Sequence, residues 1–244
     1  MNDKREDWER IIAGDNYFDC KNHYTEDLRK RREDGCQKDE NGVPQDALAS
    51  IGVKSGIHQG SFRFPFFDIA KEGQNWSMLE IGCGYGAWAA HFCQFVKEYV
   101  GVDISLHNVE KGNVALKEAG INNATLKHVC NCNLDFLQNE YFDLIFTIAV
   151  FIHTPLEITR RYLELTYSKL KKGGRFLHHF NMCSHKEEQD WSICGGIDGR
   201  ETHVYTEEEL KDLFRGIKLK ILDQFNNKSF AEGKWMRYVY GVKE

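Results

Sequence analysis

The chain reads as an α/β protein with a doubly wound, mostly parallel sheet that ends in an antiparallel hairpin. Three observations predict this. From about residue 58 onward, short apolar runs alternate with helical patterns. The first of those runs ends in a glycine-rich stretch, LEIGCGYGA at Leu79–Ala87. The last two strand-like runs, 217–225 and 234–242, are joined by a polar loop with no helical pattern between them.

Residues 76–82, WSMLEIG, form a short apolar run closed by glycine, which reads as a buried first strand. A helix follows from about 86 (AWAAHFCQFVK), then a second strand at 99–104 (YVGVDI). Ser105 is placed to cap the next helix, whose pattern runs to Ala119 and stops at Gly120. Third and fourth strands fall at 124–129 and 143–150. Thr154-Pro155-Leu156-Glu157 sets an N-cap, a first-turn proline and an N3 glutamate in register for a helix to about Leu170. Gly173-Gly174 then turns into a fifth strand, RFLHHF at 175–180. Thr206 and Glu209 form a second capping box before EEELKDLFR.

Residues 1–57 differ from the remainder. They are rich in charge, with helices expected near 4–12 and 24–34 and a polar loop, CQKDENGVPQ. The expected organisation is a helical N-terminal leader at 1–57 and one α/β domain at 58–244.

Composition narrows the function. Apolar residues make up 41% of the 244, enough for a globular core. No apolar run approaches the roughly 20 residues that span a bilayer, and MNDKREDWER lacks an apolar signal segment, so a cytoplasmic location is expected. Eight cysteines without a CxxC pair read as reduced thiols. His128, Cys130 and Cys132 alternate, but nothing nearby completes a metal ligand set, so no metal is expected. The net charge of −5 disfavours nucleic acid as the main partner. The cluster RKRR at 29–32 is interleaved with acids and reads as a solvated helix face.

The glycine loop by itself leaves its ligand open. Its spacing fits both G-x-G-x-x-A, a dinucleotide fingerprint, and E-x-G-x-G-x-G. Asp103, ending the second strand about 20 residues on, suits a ribose diol in either case. A hydride-transfer enzyme needs a further region to hold its substrate, and here the nucleotide sheet nearly fills the protein.

In that context the chain resembles the class I S-adenosylmethionine-dependent methyltransferases, a Rossmann-like family. The motifs that carry the resemblance are LEIGCGYG (79–86), GVDIS (101–105), YFDLIFTIAVFIH (141–153), LKKGGRF (170–176), TEEEL (206–210) and the C-terminal hairpin. The resemblance implies S-adenosylmethionine as cofactor. It implies that Glu80, Gly82, Cys83, Gly84 and Gly86 shape the methionyl pocket, that Asp103 binds the ribose and that Ile104 lies against the adenine. Asn131 stands where family members often carry an aspartate for the adenine amino group, with Cys132 beside it. Ala149 stands where a backbone contact to the cofactor is common. A leader of this kind often folds over the cofactor as a lid.

The acceptor is less constrained. A neutral hydroxyl needs a general base, whereas a carboxylate or free amine does not. His179 or His178, near the end of the fifth strand, is the expected general base; His153, after the fourth, is a second candidate that could equally serve as polar support for its loop. Adjacent strand residues point oppositely, so at most one of His178 and His179 faces substrate. The HH-x-N pattern resembles a branch acting on glycans and natural products, which implies O-methylation of a small-molecule or sugar hydroxyl. Tyr17, Tyr24, Trp191 and Tyr205 are the aromatic candidates for the acceptor wall. Protein, RNA, amine or carboxylate acceptors stay open, as do a short NAD-dependent reductase and a noncatalytic subunit. Oligomeric state has no signature in the sequence.

Overall fold

The structure, a computed structural model, describes residues 24–34, 72–184, 203–231 and 233–244. The expected helix at 4–12, Tyr17, the loop after residue 34, and Trp191 with most of the 181–205 segment lie outside the described residues. Seven strands form a sheet in the order β3-β2-β1-β4-β5-β7-β6, and every expected strand is present.

The first compact unit runs to Asn133. It holds α1 (Tyr24–Asp34), β1 (Ser77–Ile81), α2 (Ala87–Phe92), β2 (Glu98–Asp103), α3 (Leu106–Glu118) and β3 (Ala124–His128). All five residues of β1 are buried, as a strand covered on both faces requires. Parallel pairing sets Glu80 beside Gly101 and Asp103 beside His128. Ser105 caps α3 by accepting the Asn108 N–H at 3.2 Å, and Gly120 ends the helix at φ +73°.

Arg29, Lys30 and Arg32 of the arginine cluster are exposed, as a solvated face requires, and two of them also make bonds to a neighbouring helix. Arg29 donates to the Glu118 carbonyl, and Arg32 donates to those of Ala119 and Gly120. These are the unpaired carbonyls at the C-terminal end of α3, where the helix dipole favours cations. Thr25 adds a bond to the Glu118 carboxylate. Charges that look solvent-directed in sequence therefore dock α1 onto α3.

Helix α3 also approaches the glycine loop closely. A Cβ on Gly112 would stand 2.6 Å from the Tyr85 carbonyl oxygen and 2.6 Å from Leu126 Cδ1. Gly112→Ala therefore must push α3 off the loop backbone, although alanine is the better helix former. We expect a loss of about 1–3 kcal/mol in urea unfolding, the usual penalty of overpacking. An unchanged midpoint would show that the helix can shift freely.

The second unit, from Leu134, holds β4 (Phe142–Thr147), α4 (Leu156–Lys169), β5 (Leu170–Cys183), α5 (Glu207–Phe214), β6 (Leu219–Ala231) and β7 (Lys234–Lys243). β5 is parallel to β4 and antiparallel to β7, and β7 is antiparallel to β6, which makes the C-terminal hairpin. Two expectations need correction. β5 begins at Leu170, before the paired glycines: Leu170 pairs with Phe142 and Arg175 with Leu144, so Gly173 and Gly174 lie within an irregularity of the strand. Thr154 does not cap α4; its hydroxyl bonds Thr159 Oγ1 at 2.7 Å, and Pro155 holds the N-cap position. The Thr206–Glu209 capping box forms in full.

Candidate active site

Gly82, Gly84 and Gly86 all have positive φ, at 79°, 53° and 91°. The loop needs glycine because this backbone region is costly for other residues. Gly82 and Cys83 N–H groups donate to the Val102 carbonyl, tying the loop to the end of β2. Among the described residues nothing lies within 4 Å of where a Cβ on Gly84 would stand, so the loop presents bare backbone there.

Asp103 lies at that opening and is partly exposed. Its Oδ2 accepts the Gly84 N–H at 2.7 Å and its Oδ1 accepts the Ser105 N–H at 2.8 Å. Burial raises its pKa, while these backbone N–H groups and His128 pull it down. A carboxylate has about four acceptor sites, so lone pairs are left for a diol. Ile104 beside it is half-buried, and its carbonyl lies 3.0 Å from His128 Nε2.

Glu80 sits deeper. It is buried, and its carboxyl takes the Tyr99 hydroxyl hydrogen bond. Burial raises its pKa well above the usual carboxylate range, opposed by that bond and reinforced by the charge of Asp103. Glu80 thus braces β1 against β2 beneath the loop. Cys83 is also buried, and burial raises its thiol pKa.

Strained backbone marks the remaining expected positions. Four described non-glycine residues have left-handed φ: Asn131 (52°), Cys132 (54°), Glu140 (51°) and Ala149 (59°). Three of these are positions expected at the cofactor. Such conformations cost about 1–2 kcal/mol each for an L-residue and concentrate at functional sites.

In the second unit, β5 separates its two histidines. His178 is fully buried, its Nδ1 3.2 Å from Thr147 Oγ1, between the rings of Phe151 and Phe176. Burial lowers its pKa to about 3. His179 faces the other way and stacks on Tyr238 at 4.7 Å. Its Nδ1 accepts the Ala149 N–H at 3.1 Å. Burial first, then the charge of His153, lower it to about 4. His153 ends a 3-10 turn at Phe151–His153 and is half-buried.

Residues 78–174 match a family model described as a methyltransferase domain. Residues 78–174 are a methyltransferase domain. A methyltransferase domain of this fold implies S-adenosylmethionine as its cofactor. Solved structures agree in fold. Geranyl diphosphate C-methyltransferase from Streptomyces coelicolor A3(2) has a TM-score of 0.59 at 13% identity, covering 93% of this chain and 100% of that one. Magnesium protoporphyrin IX methyltransferase from Synechocystis PCC 6803 has 0.57 at 18%, covering 98% and 94%. The cyclase SpnF has 0.60 at 14%, covering 78% and 85%. No curated protein sequence matches.

Two of the aromatic candidates, Tyr205 and Tyr24, lie among the described residues. Tyr205 is 2% exposed, and its hydroxyl is held by Thr159 Oγ1 and the carbonyls of Phe151 and Thr154. It pins the turn that carries His153. Tyr24 is buried against Tyr85 of the glycine loop at 4.8 Å, and Tyr85 donates to Asp27 at 2.8 Å. Arg31 bonds the same carboxylate. Sequence offered no signal for this brace, because α1 meets the loop across 58 residues of chain. Among the described residues no cluster of metal ligands forms, and no helix is long and apolar enough to cross a membrane.

The buried histidines carry a pH signature. His178 is neutral in the fold down to about pH 3 but takes a proton near 6.5 when unfolded. Its stabilising contribution is therefore complete above about 6.5 and is lost as pH falls toward 3. His178→Phe removes that loss. Below pH 6.5 the variant should gain stability relative to the parent, at a rate that approaches about 1.4 kcal/mol per pH unit near pH 5, read as diverging urea midpoints. Parallel midpoints would mean that His178 protonates within the fold.

Proposed function

We propose that the chain is an S-adenosylmethionine-dependent methyltransferase acting on a hydroxyl group of a small molecule, with a sugar or sugar-like glycan as the acceptor class and His153 as general base. The observation that carries this is the bond from Ala149 N–H to His179 Nδ1. A neutral imidazole that accepts at Nδ1 holds its proton at Nε2. His179 therefore presents a donor and has no lone pair to receive an acceptor proton. His178 is enclosed by aromatic rings. His153, half-buried on a turn at the end of β4, is the histidine left for the base.

When bound, S-adenosylmethionine supplies a methyl group on a sulfonium, already activated for transfer. The bare backbone at Gly84 and the remaining Asp103 acceptor sites fit its methionyl and ribose parts. Ile104 and Asn131 are assigned to the adenine, and Ala149 to a backbone contact. His153 takes the hydroxyl proton, and the neutral His179 holds the acceptor oxygen by donation. Two structural neighbours, named for geranyl diphosphate and magnesium protoporphyrin IX, support a small-molecule acceptor.

Calorimetry with S-adenosylmethionine, S-adenosylhomocysteine and NAD, followed by a product screen over alcohols, sugars, acids and amines, tests the proposal. We expect binding of the two sulfur nucleotides and turnover confined to hydroxylated acceptors. Turnover of amines or acids alone would overturn the O-methylation reading.

A further inference from the structure

His179 and Asn181 lie two residues apart on β5, so their side chains share one face. Both are buried, at 3% and 4% exposure. The His179 ring is fixed twice, by its stack on Tyr238 and by the Ala149 N–H at Nδ1. Its Nε2 has no hydrogen-bond partner among the described residues. The backbone of Asn181 is fully used, pairing with Met236 and accepting the Tyr205 N–H at 2.8 Å, yet its side-chain oxygen also has no partner there. A buried donor and a buried acceptor left open side by side are unfavourable unless something meets both. The Nε2 of His178, also without a partner among the described residues, is a different case, since it points to the opposite face among Phe151 and Phe176.

We propose that His179 Nε2–H and Asn181 Oδ1 form an uncharged two-point clamp that selects neutral, hydroxyl-bearing acceptors. The inference rests on the O-methylation reading and sharpens it. A hydroxyl both accepts and donates, so one hydroxyl, or two neighbouring ones, satisfies both atoms. A carboxylate accepts from His179 but sets its charge against the lone pairs of Asn181. An ammonium donates to Asn181 but meets the His179 N–H with no acceptor to offer. The low pKa of His179, about 4, keeps it from becoming a cation that would welcome an anion near neutral pH.

The test uses the full-length protein saturated with S-adenosylhomocysteine and three probes on one ring: methyl glucoside, glucuronate and glucosamine. Titration followed by NMR should show saturable binding of methyl glucoside, about tenfold tighter than either charged probe. Asn181→Leu should weaken the glucoside about tenfold, the effect of one lost hydrogen bond, while S-adenosylhomocysteine affinity stays unchanged. Its Tm should hold or rise, because an unpaired buried polar atom is removed. Asn181→Asp should shift the preference toward glucosamine. Absence of saturable glucoside binding, equal binding of the three probes, or an Asn181→Leu variant that binds as the parent does would each overturn the clamp. Selective glucoside binding with turnover only on amines or acids would instead sink the O-methylation reading and leave the clamp in place.

Discussion

Asp103→Ala is expected to weaken cofactor binding severely. The carboxylate has two tasks. It fixes the glycine loop by accepting from Gly84 and Ser105, and its remaining lone pairs are those assigned to the ribose diol. Hydrogen bonds to a charged group contribute roughly 1.5–3 kcal/mol each. Losing two therefore weakens S-adenosylhomocysteine about 10²- to 10⁴-fold. Calorimetry gives the affinity, and far-UV circular dichroism checks that the fold persists. Asp103→Asn keeps one acceptor oxygen and should fall between parent and alanine variant. An alanine variant that binds at parental strength would remove Asp103 from the site.

His153→Ala is expected to reduce kcat by about 10²- to 10⁴-fold, the usual contribution of a general base, with S-adenosylhomocysteine affinity unchanged. The acid limb of the kcat/KM profile should vanish with it, since that limb reports protonation of the base. His179→Ala should act differently, raising KM for the hydroxylated acceptor while the acid limb stays. Retention of normal turnover in His153→Ala would return the search for a base to other residues, or to an acceptor that needs none.

What was legible in sequence was mostly local. Ser105 and the Thr206–Glu209 box cap their helices because a side chain reaches backbone only three residues away. The glycine loop and Asp103 were legible because a βα turn followed by a βα turn has nearly fixed length. Asn131 and Ala149 were placed by motif spacing, and the left-handed backbone found at both is a feature no spacing conveys. Thr154 failed as a cap because its hydroxyl is drawn to Thr159, within a cluster that also includes Tyr205 from 46 residues beyond Thr159. The Gly173-Gly174 turn failed as a strand start because pairing with β4 holds Leu170 in the sheet ahead of it.

The histidines show the division most clearly. By itself the sequence determined the order of strands and helices, the glycine loop, the acidic residue after β2 and the presence of three histidines near strand ends. Alternation along β5 required that His178 and His179 face apart. Only the tertiary structure decided which imidazole atom is occupied. The Ala149 N–H that holds His179 Nδ1 comes from 30 residues away, in a left-handed turn, and aromatic rings from two elements close over His178. A proton's position on an imidazole follows from its hydrogen-bond partner, and that partner is set by packing between distant segments.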